Sequence, residues 1–175
     1  MVACPRVYVS IGSNIDQQRN ILACLDALAE HFGELQLSSV YESEAVGFGG
    51  DNFFNLVAGF DCALSVGELS TVLRQIENDN GRRRDGPRFS SRTLDIDILT
   101  YDNICGVEDG ISLPRDEIVE NAFVLWPLAE IAGDEVHPAV GKTYAQLWND
   151  YAKAEQKLWP VDFAWRGKVI SEQVS

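Results

Sequence analysis

Asp95 and Asp97 stand two positions apart in the run Arg92-Thr93-Leu94-Asp95-Ile96-Asp97-Ile98-Leu99. In an extended strand, residues i and i+2 share a face, so the two carboxylates project together while Leu94, Ile96 and Ile98 pack on the other side. Like charges held that close repel unless a cation lies between them. Hard oxygen donors suit Mg²⁺, which keeps water and phosphate oxygens as its remaining ligands. Aspartate is also disfavoured inside strands, which weighs against a merely solvated sheet face. The pair predicts a divalent-metal and polyphosphate site, and with it a phosphoryl-type transferase.

A polyphosphate needs counter-charge, and it lies just upstream. Arg82, Arg83, Arg84, Arg88 and Arg92 place five of the fourteen Lys and Arg residues within eleven positions. Planar guanidiniums clamp phosphate oxygens bidentately and stabilise charge as phosphorus is attacked. Some of the five are expected to balance surface charge only, Arg83 first among them. Gly86 and Pro87, with no apolar period around them, make Arg82 to Ser91 a loop that can close on substrate.

A second pattern suits a flat heterocycle. Phe53 and Asn55 alternate on one strand face, an aromatic plane beside an amide that both donates and accepts; a core phenylalanine with an edge asparagine fits these residues equally well. Phe123 reads by itself as a core residue and Glu77 as a solvated helix charge.

The elements that position these groups follow from periodicity. Arg6 to Ile11 alternates like a strand, and Gly12-Ser13-Asn14 breaks it. Ile21, Leu22, Cys24, Leu25, Leu28 and Phe32 recur at helical spacing, predicting a helix from Gln17 to Phe32 capped by Asn14 or Asp16. Leu35 to Tyr41 and Phe53 to Phe60 read as strands around a Gly47 to Asn52 loop. Ser65 to Asn78 reads as a helix capped by Ser65 and ending near Asn80-Gly81. Leu94 to Tyr101 is the next strand. Helices are expected from Asn121 to Ile131, around Pro127, and from Tyr144 to Ala154. The order β-α-β-β-α-β predicts an α+β, ferredoxin-like sandwich: an antiparallel sheet with helices on one face, plus additional C-terminal helices. Residues 1–156 are expected to form a single domain, and the tail 157–175, despite Trp159 and Trp165, suggests no role.

Composition narrows the classes further. A chain of 175 residues that is 46% hydrophobic fills one core without disulfides. Cys4, Cys24, Cys62 and Cys105 are scattered with no C-x-x-C pair, which predicts reduced thiols, and no run is long and apolar enough for a membrane span or a signal peptide. A soluble cytoplasmic protein is expected. A formal charge of −13 opposes nucleic acid and anionic membrane as partners. An RNA-binding sheet would also show aromatics beside arginines, but it has no need of paired strand aspartates.

Val9-Ser10-Ile11-Gly12-Ser13-Asn14, Phe53-Phe54-Asn55, Gly81-Arg82-Arg83-Arg84-Asp85-Gly86-Pro87-Arg88-Phe89, Ser91 to Leu99 and Phe123-Val124-Leu125-Trp126-Pro127-Leu128 together resemble the 6-hydroxymethyl-7,8-dihydropterin pyrophosphokinase family of the folate pathway. The resemblance runs from about residue 6 to 148, and R-T-L-D-x-D-I/L is its most specific part. It implies transfer of pyrophosphate from ATP to the hydroxymethyl group of the pterin, giving AMP, with two Mg²⁺ on Asp95 and Asp97. Arg82 and Arg92 would act on the transferring group, while Glu77, Arg84, Arg88, Ile98 and Arg115 would face the nucleotide. Phe53 and Phe123 would sandwich the pterin. Asn55 would read its edge, Ser43, Glu44 and Val46 would supply contacts from the neighbouring segment, and Phe89, where the family usually has tryptophan, would close over it. Besides Phe89, the chain departs from the family pattern at four places: Arg115 for histidine, Asn121 for a cation, Ser90-Ser91 for Gly-Pro, and Ser43-Glu44-Ala45 for a Thr-Pro-Pro-like run. These point to altered nucleotide affinity and rate, and leave a divergent paralogue with slow or altered phosphotransfer as the alternative.

Overall fold

The computed structural model describes residues 4–44, 52–80, 94–152 and 156–173. Three strands carry the site: β1 (Arg6–Ser13), β4 (Phe53–Asp61) and β5 (Asp95–Tyr101). β1 lies between the other two and pairs antiparallel with both.

Beyond β4 the sheet continues through two short strands, β2 (Gln36–Leu37) and β3 (Tyr41–Ser43), both antiparallel to β4. The single strand expected from Leu35 to Tyr41 is thus interrupted. Ser38 explains how: its N–H donates to the Val57 carbonyl, and its Oγ accepts the Val57 N–H at 2.9 Å. The side chain replaces a main-chain acceptor, so the Val57 amide stays paired at the break.

The alternation of each strand divides two cores. Val7, Val9 and Ile11, Leu56, Ala58 and Phe60, and Ile96 and Ile98 meet Ile21, Leu25 and Leu28 of α1 (Gln17–Phe32) and Leu69, Leu73 and Ile76 of α2 (Val66–Asp79). Fully burying each such side chain stabilises the fold by roughly 1.5–3 kcal/mol. α2 starts at Ser65 as expected, through a capping box in which Ser65 Oγ accepts the Glu68 N–H and Glu68 accepts the Ser65 N–H. α1 does not use the expected cap. Asp16 occupies the position in a left-handed conformation, φ 43°, and its side chain makes no cap hydrogen bond among the described residues.

The opposite face is covered too, which corrects the expectation of helices on one face alone. Tyr8, Val57 and Leu99 pack against Ile118 of α3 (Glu117–Glu120), Val124, Leu125 and Leu128 of α4 (Ala122–Ala132), and Tyr144 of α5 (Tyr144–Asp150). A sheet of alternating residues exposes a second apolar stripe when Tyr8, Val57 and Leu99 fall on it, and α4, with Pro127 inside it, supplies the cover. α5 ends at Asp150, short of the expected Ala154.

The irregular stretch before Pro114 contains a small hairpin, β6 (Gly106–Glu108) with β7 (Ile111–Leu113). The tail is also built in. β8 (Leu158–Pro160) extends the sheet beside β3, giving the order β5-β1-β4-β3-β8 with β2 alongside β4. β9 (Phe163–Trp165) and β10 (Lys168–Ser171) pair with each other, and Phe163 enters the α1/α2 core. Among the described residues no helix is long and apolar enough to cross a membrane, and the four cysteines are free.

Candidate active site

The strand register places the chemistry-bearing residues in one row. Asp95 lies opposite Gly12, Gly12 opposite Asn55, and Asn55 opposite Tyr41; Asp97 lies opposite Ser10. All of these positions alternate away from the α1/α2 core, so they sit on the face covered further along by α3, α4 and α5. Asp95 and Asp97 share this face, as i and i+2 spacing requires.

Gly12 is the joint of the row. A Cβ there would stand 2.8 Å from Asn55 Oδ1, so only glycine leaves the carboxamide its place between the aspartate and the outer strand. On the far side Asn55 Nδ2 donates to Ser43 Oγ at 3.3 Å, which fixes the tilt of the amide. Phe53 lies opposite Ser43 and is half-buried; Phe123, in the first turn of α4, is half-buried against the second core. Glu44 is exposed.

Asp97 is held by cations from two directions. Arg115 Nη2 donates to its Oδ1 at 3.2 Å, and Arg74 Nη2 lies 3.8 Å from the same oxygen. Arg115 is fixed in turn: its N–H donates to the Leu99 carbonyl at 2.9 Å, and its Nε lies 3.8 Å from Glu117. Burial raises the Glu117 carboxyl pKa, and the Asp97 and Asp95 charges push it the same way against the pull of Arg115. Asp95 and Asp97 thus stand in a field of nearby cations and one further carboxylate.

Two expected nucleotide residues are placed otherwise. Glu77 is fully buried; it accepts the Ile96 N–H at 2.8 Å and pairs with Arg74 at 3.2 Å. Ile98 lies in the α1/α2 core, 4% exposed. Val46 and the loop residues Arg82, Arg84, Arg88, Phe89 and Arg92 lie outside the described residues. Arg74 was not singled out from sequence. Its only signal is a position three before Glu77 on a helix that packs beside the strand carrying the aspartates, and that packing is not local information.

Among the described residues no cluster of three or more metal-binding side chains occurs. Two carboxylates on one strand face are donors of the chemical type that would suit Mg²⁺, which takes water and phosphate oxygens as its other ligands.

The sequence profile of the 7,8-dihydro-6-hydroxymethylpterin-pyrophosphokinase family matches residues 8–133. The chain belongs to this family. Among pyrophosphokinase relatives, the 2-amino-4-hydroxy-6-hydroxymethyldihydropteridine pyrophosphokinase of Pseudomonas aeruginosa is 39% identical over 134 residues, covering 74% of this chain and 82% of that protein. The enzyme of the same name from Bacillus subtilis is 34% identical over 128 residues, covering 71% and 76%. The folic acid synthesis protein FOL1 of Dictyostelium discoideum is 34% identical over 139 residues; the match covers 77% of this chain but only 20% of that longer protein. The fold matches a solved HPPK-DHPS structure in complex with substrates, with a TM-score of 0.72 at 12% identity over 96% of this chain and 48% of that one. Wild-type Plasmodium falciparum HPPK-DHPS gives 0.69 at 10% identity, over 96% and 50%. The chain thus spans about half the length of these structures, and identities this low speak for the fold alone.

Proposed function

We propose that this chain transfers pyrophosphate from ATP to the hydroxymethyl oxygen of 6-hydroxymethyl-7,8-dihydropterin, giving AMP and the pterin diphosphate, as a diphosphotransferase of folate biosynthesis. The observation that carries the reading is the row Asp95, Gly12, Asn55, which sets a carboxylate of β5 and an amide of β4 on one face with only β1 between them. Family membership supports it. The strand order β5-β1-β4-β3, with α1 and α2 on one face, supports a ferredoxin-like sandwich extended by the C-terminal elements.

In this reading the pterin lies beside Phe53 and Phe123, its hydrogen-bonding edge read by Asn55, with Ser43, Glu44, Val46 and Phe89 completing the slot. Asn55 can serve this edge because Ser43 Oγ already takes one amide hydrogen and fixes which way the group points. Arg84, Arg88 and Arg115 hold nucleotide phosphates, and Glu77 and Ile98 act from behind as frame. Arg82 and Arg92 neutralise charge on the transferring group.

The hydroxyl oxygen forms a bond to the β-phosphorus of ATP as the bond from that phosphorus to the α,β-bridging oxygen breaks, and AMP leaves with the bridging oxygen. The hydroxyl proton passes to water, with Asp97 or a water on it assisting. Asp95 and Asp97 would hold two Mg²⁺, which would supply Lewis-acid polarisation of phosphate oxygens and a lowered hydroxyl pKa. Everything else asked of the chain is alignment.

A second reading, a paralogue with slow or altered phosphotransfer, is favoured by one observation: Arg115, in place of the family histidine, is paired with Asp97. One experiment addresses both. Incubation with ATP, Mg²⁺ and 6-hydroxymethyl-7,8-dihydropterin is expected to release AMP, and Asp97→Ala is expected to lower the rate by roughly a thousandfold, the loss of about 4 kcal/mol of transition-state stabilisation. AMP no higher than in a control lacking pterin would reject the first reading.

A further inference from the structure

Residues beyond the family match tie together the two walls of the proposed pterin slot. One wall is the first turn of α4, where Phe123 sits. Asn121 precedes that helix without a side-chain cap bond, so the amide of Ala122 would be one of the orphan donors every helix start leaves. Gln156 takes it: its Oε1 accepts the Ala122 N–H at 2.7 Å, while its Nε2 donates to the Glu120 carbonyl and to Asn121 Oδ1, both at 3.3 Å. Tyr151 Oη donates to the same Glu120 carbonyl at 2.8 Å.

The other wall is β3, which presents Ser43 to Asn55. Only two residues after Gln156, at most about 7 Å of chain, β8 begins, with Leu158 opposite Ser43 and Trp159 opposite Glu42. Trp159 Nε1 donates to Glu42 Oε1 at 3.1 Å, and the Val161 N–H donates to the Val40 carbonyl at 2.9 Å. The slot walls are otherwise far apart in sequence, Ser43 on one and Phe123 on the other.

We propose that this C-terminal segment is the outer clamp of the pterin slot, with Gln156 a positioning residue that sets Phe123 against Asn55 and so governs affinity for the acceptor substrate. The inference rests on the pterin lying at Phe53, Asn55 and Phe123. Gln156 touches no reacting atom; it acts through the backbone of residues 120–122. Its hydrogen bonds go to Glu120, Asn121 and Ala122, and none of them is to Asp95, Asp97 or Arg115.

The test uses the full chain as wild type, Gln156→Ala, Gln156→Glu and Trp159→Phe. The readouts are the Kd of 6-hydroxymethylpterin by fluorescence titration, KM for dihydropterin and for ATP, kcat at saturating pterin, and the unfolding midpoint. Gln156→Ala is expected to raise the pterin Kd and KM about tenfold, with ATP KM and kcat within about twofold of wild type. Gln156→Glu keeps the acceptor for Ala122 but sets a carboxylate oxygen against the Glu120 carbonyl, so it should recover only part of the affinity. Trp159→Phe, which keeps an aromatic ring but loses the Nε1–H donor to Glu42 and part of the indole, should raise the pterin Kd about threefold. An unchanged pterin Kd in Gln156→Ala, or pterin and ATP affinities that fall together in step with stability, overturns the clamp. Wild-type protein that binds no pterin overturns the functional reading itself and the clamp with it.

Discussion

Glu77 accepts the main-chain N–H of Ile96 at 2.8 Å, so a helix side chain closes the outer edge of β5 at the one residue between Asp95 and Asp97. Arg74 completes the edge by donating to the Ile96 carbonyl and pairing with Glu77 at 3.2 Å. Together the carboxylate and guanidinium imitate the donor and acceptor of a neighbouring strand. β5 is last in the sheet order, and an edge strand with free N–H and C=O groups twists and frays more readily than a paired one. The clamp therefore holds the pleat that aims both aspartates the same way.

Glu77→Ala is expected to destabilise the fold by about 2–3 kcal/mol, below the range for a fully buried pair because Arg74 is partly exposed. Glu77→Gln, which still offers an oxygen to Ile96, should cost about 1 kcal/mol. Urea unfolding measures both. Wild-type stability in Glu77→Ala would remove the edge role and return Glu77 to the nucleotide.

Arg115 Nη2 lies 3.2 Å from Asp97 Oδ1, and under the proposed function it would compete there with a metal. Arg115→Gln should therefore tighten Mn²⁺ binding to the nucleotide-free protein by about fivefold, a modest gain because the arginine is partly solvated. The same variant should weaken ATP binding about tenfold, through loss of a charge-assisted phosphate contact. Calorimetric titration of each ligand separates the two effects, and Mn²⁺ affinity equal to wild type would show the pair too well screened to matter.

Gly12→Ala drives a methyl group to 2.8 Å from Asn55 Oδ1. The amide must turn away from its place opposite Gly12, so pterin KM should rise about tenfold while stability falls by about 1 kcal/mol. Restoring wild-type KM in Gly12→Ala would show that Asn55 orientation does not govern pterin binding.

Glu117 sets a pH dependence. Its pKa is raised first by burial and then by the Asp97 charge, so between the unfolded and the folded pKa the native state holds more protons than the unfolded chain. Stability then falls as pH rises through that window, and the loss persists above it. Glu117→Gln removes the titration, so the variant should gain stability over wild type at about pH 7 compared with about pH 4. Thermal unfolding at the two pH values tests this; a constant difference between them would contradict it.

Much of the site was written in local pattern. Two-residue spacing alone put Asp95 with Asp97 and Phe53 with Asn55, and three- and four-residue spacing found α1 and α2, because side-chain direction along a regular element depends only on neighbours in sequence. Ser65 with Glu68 was legible for the same reason. Asp16 misled because a cap needs extended backbone, and a left-handed turn there withdraws the side chain. What lay beyond local pattern was decided between distant segments. Glu77 read as a solvated helix charge until the packing of α2 beside β5 gave it the Ile96 amide. Arg74 gained a partner in Asp97, and Arg115 was brought beside the same carboxylate by its amide bond to Leu99. The tail carried no period to announce β8, since a three-residue edge strand draws its hydrogen bonds from β3, more than a hundred positions away. Residue types and short spacings were enough to name the chemistry; which groups share a face edge or a hydrogen bond depends on long-range pairing, where loop closure and burial, not neighbouring residues, choose the partner.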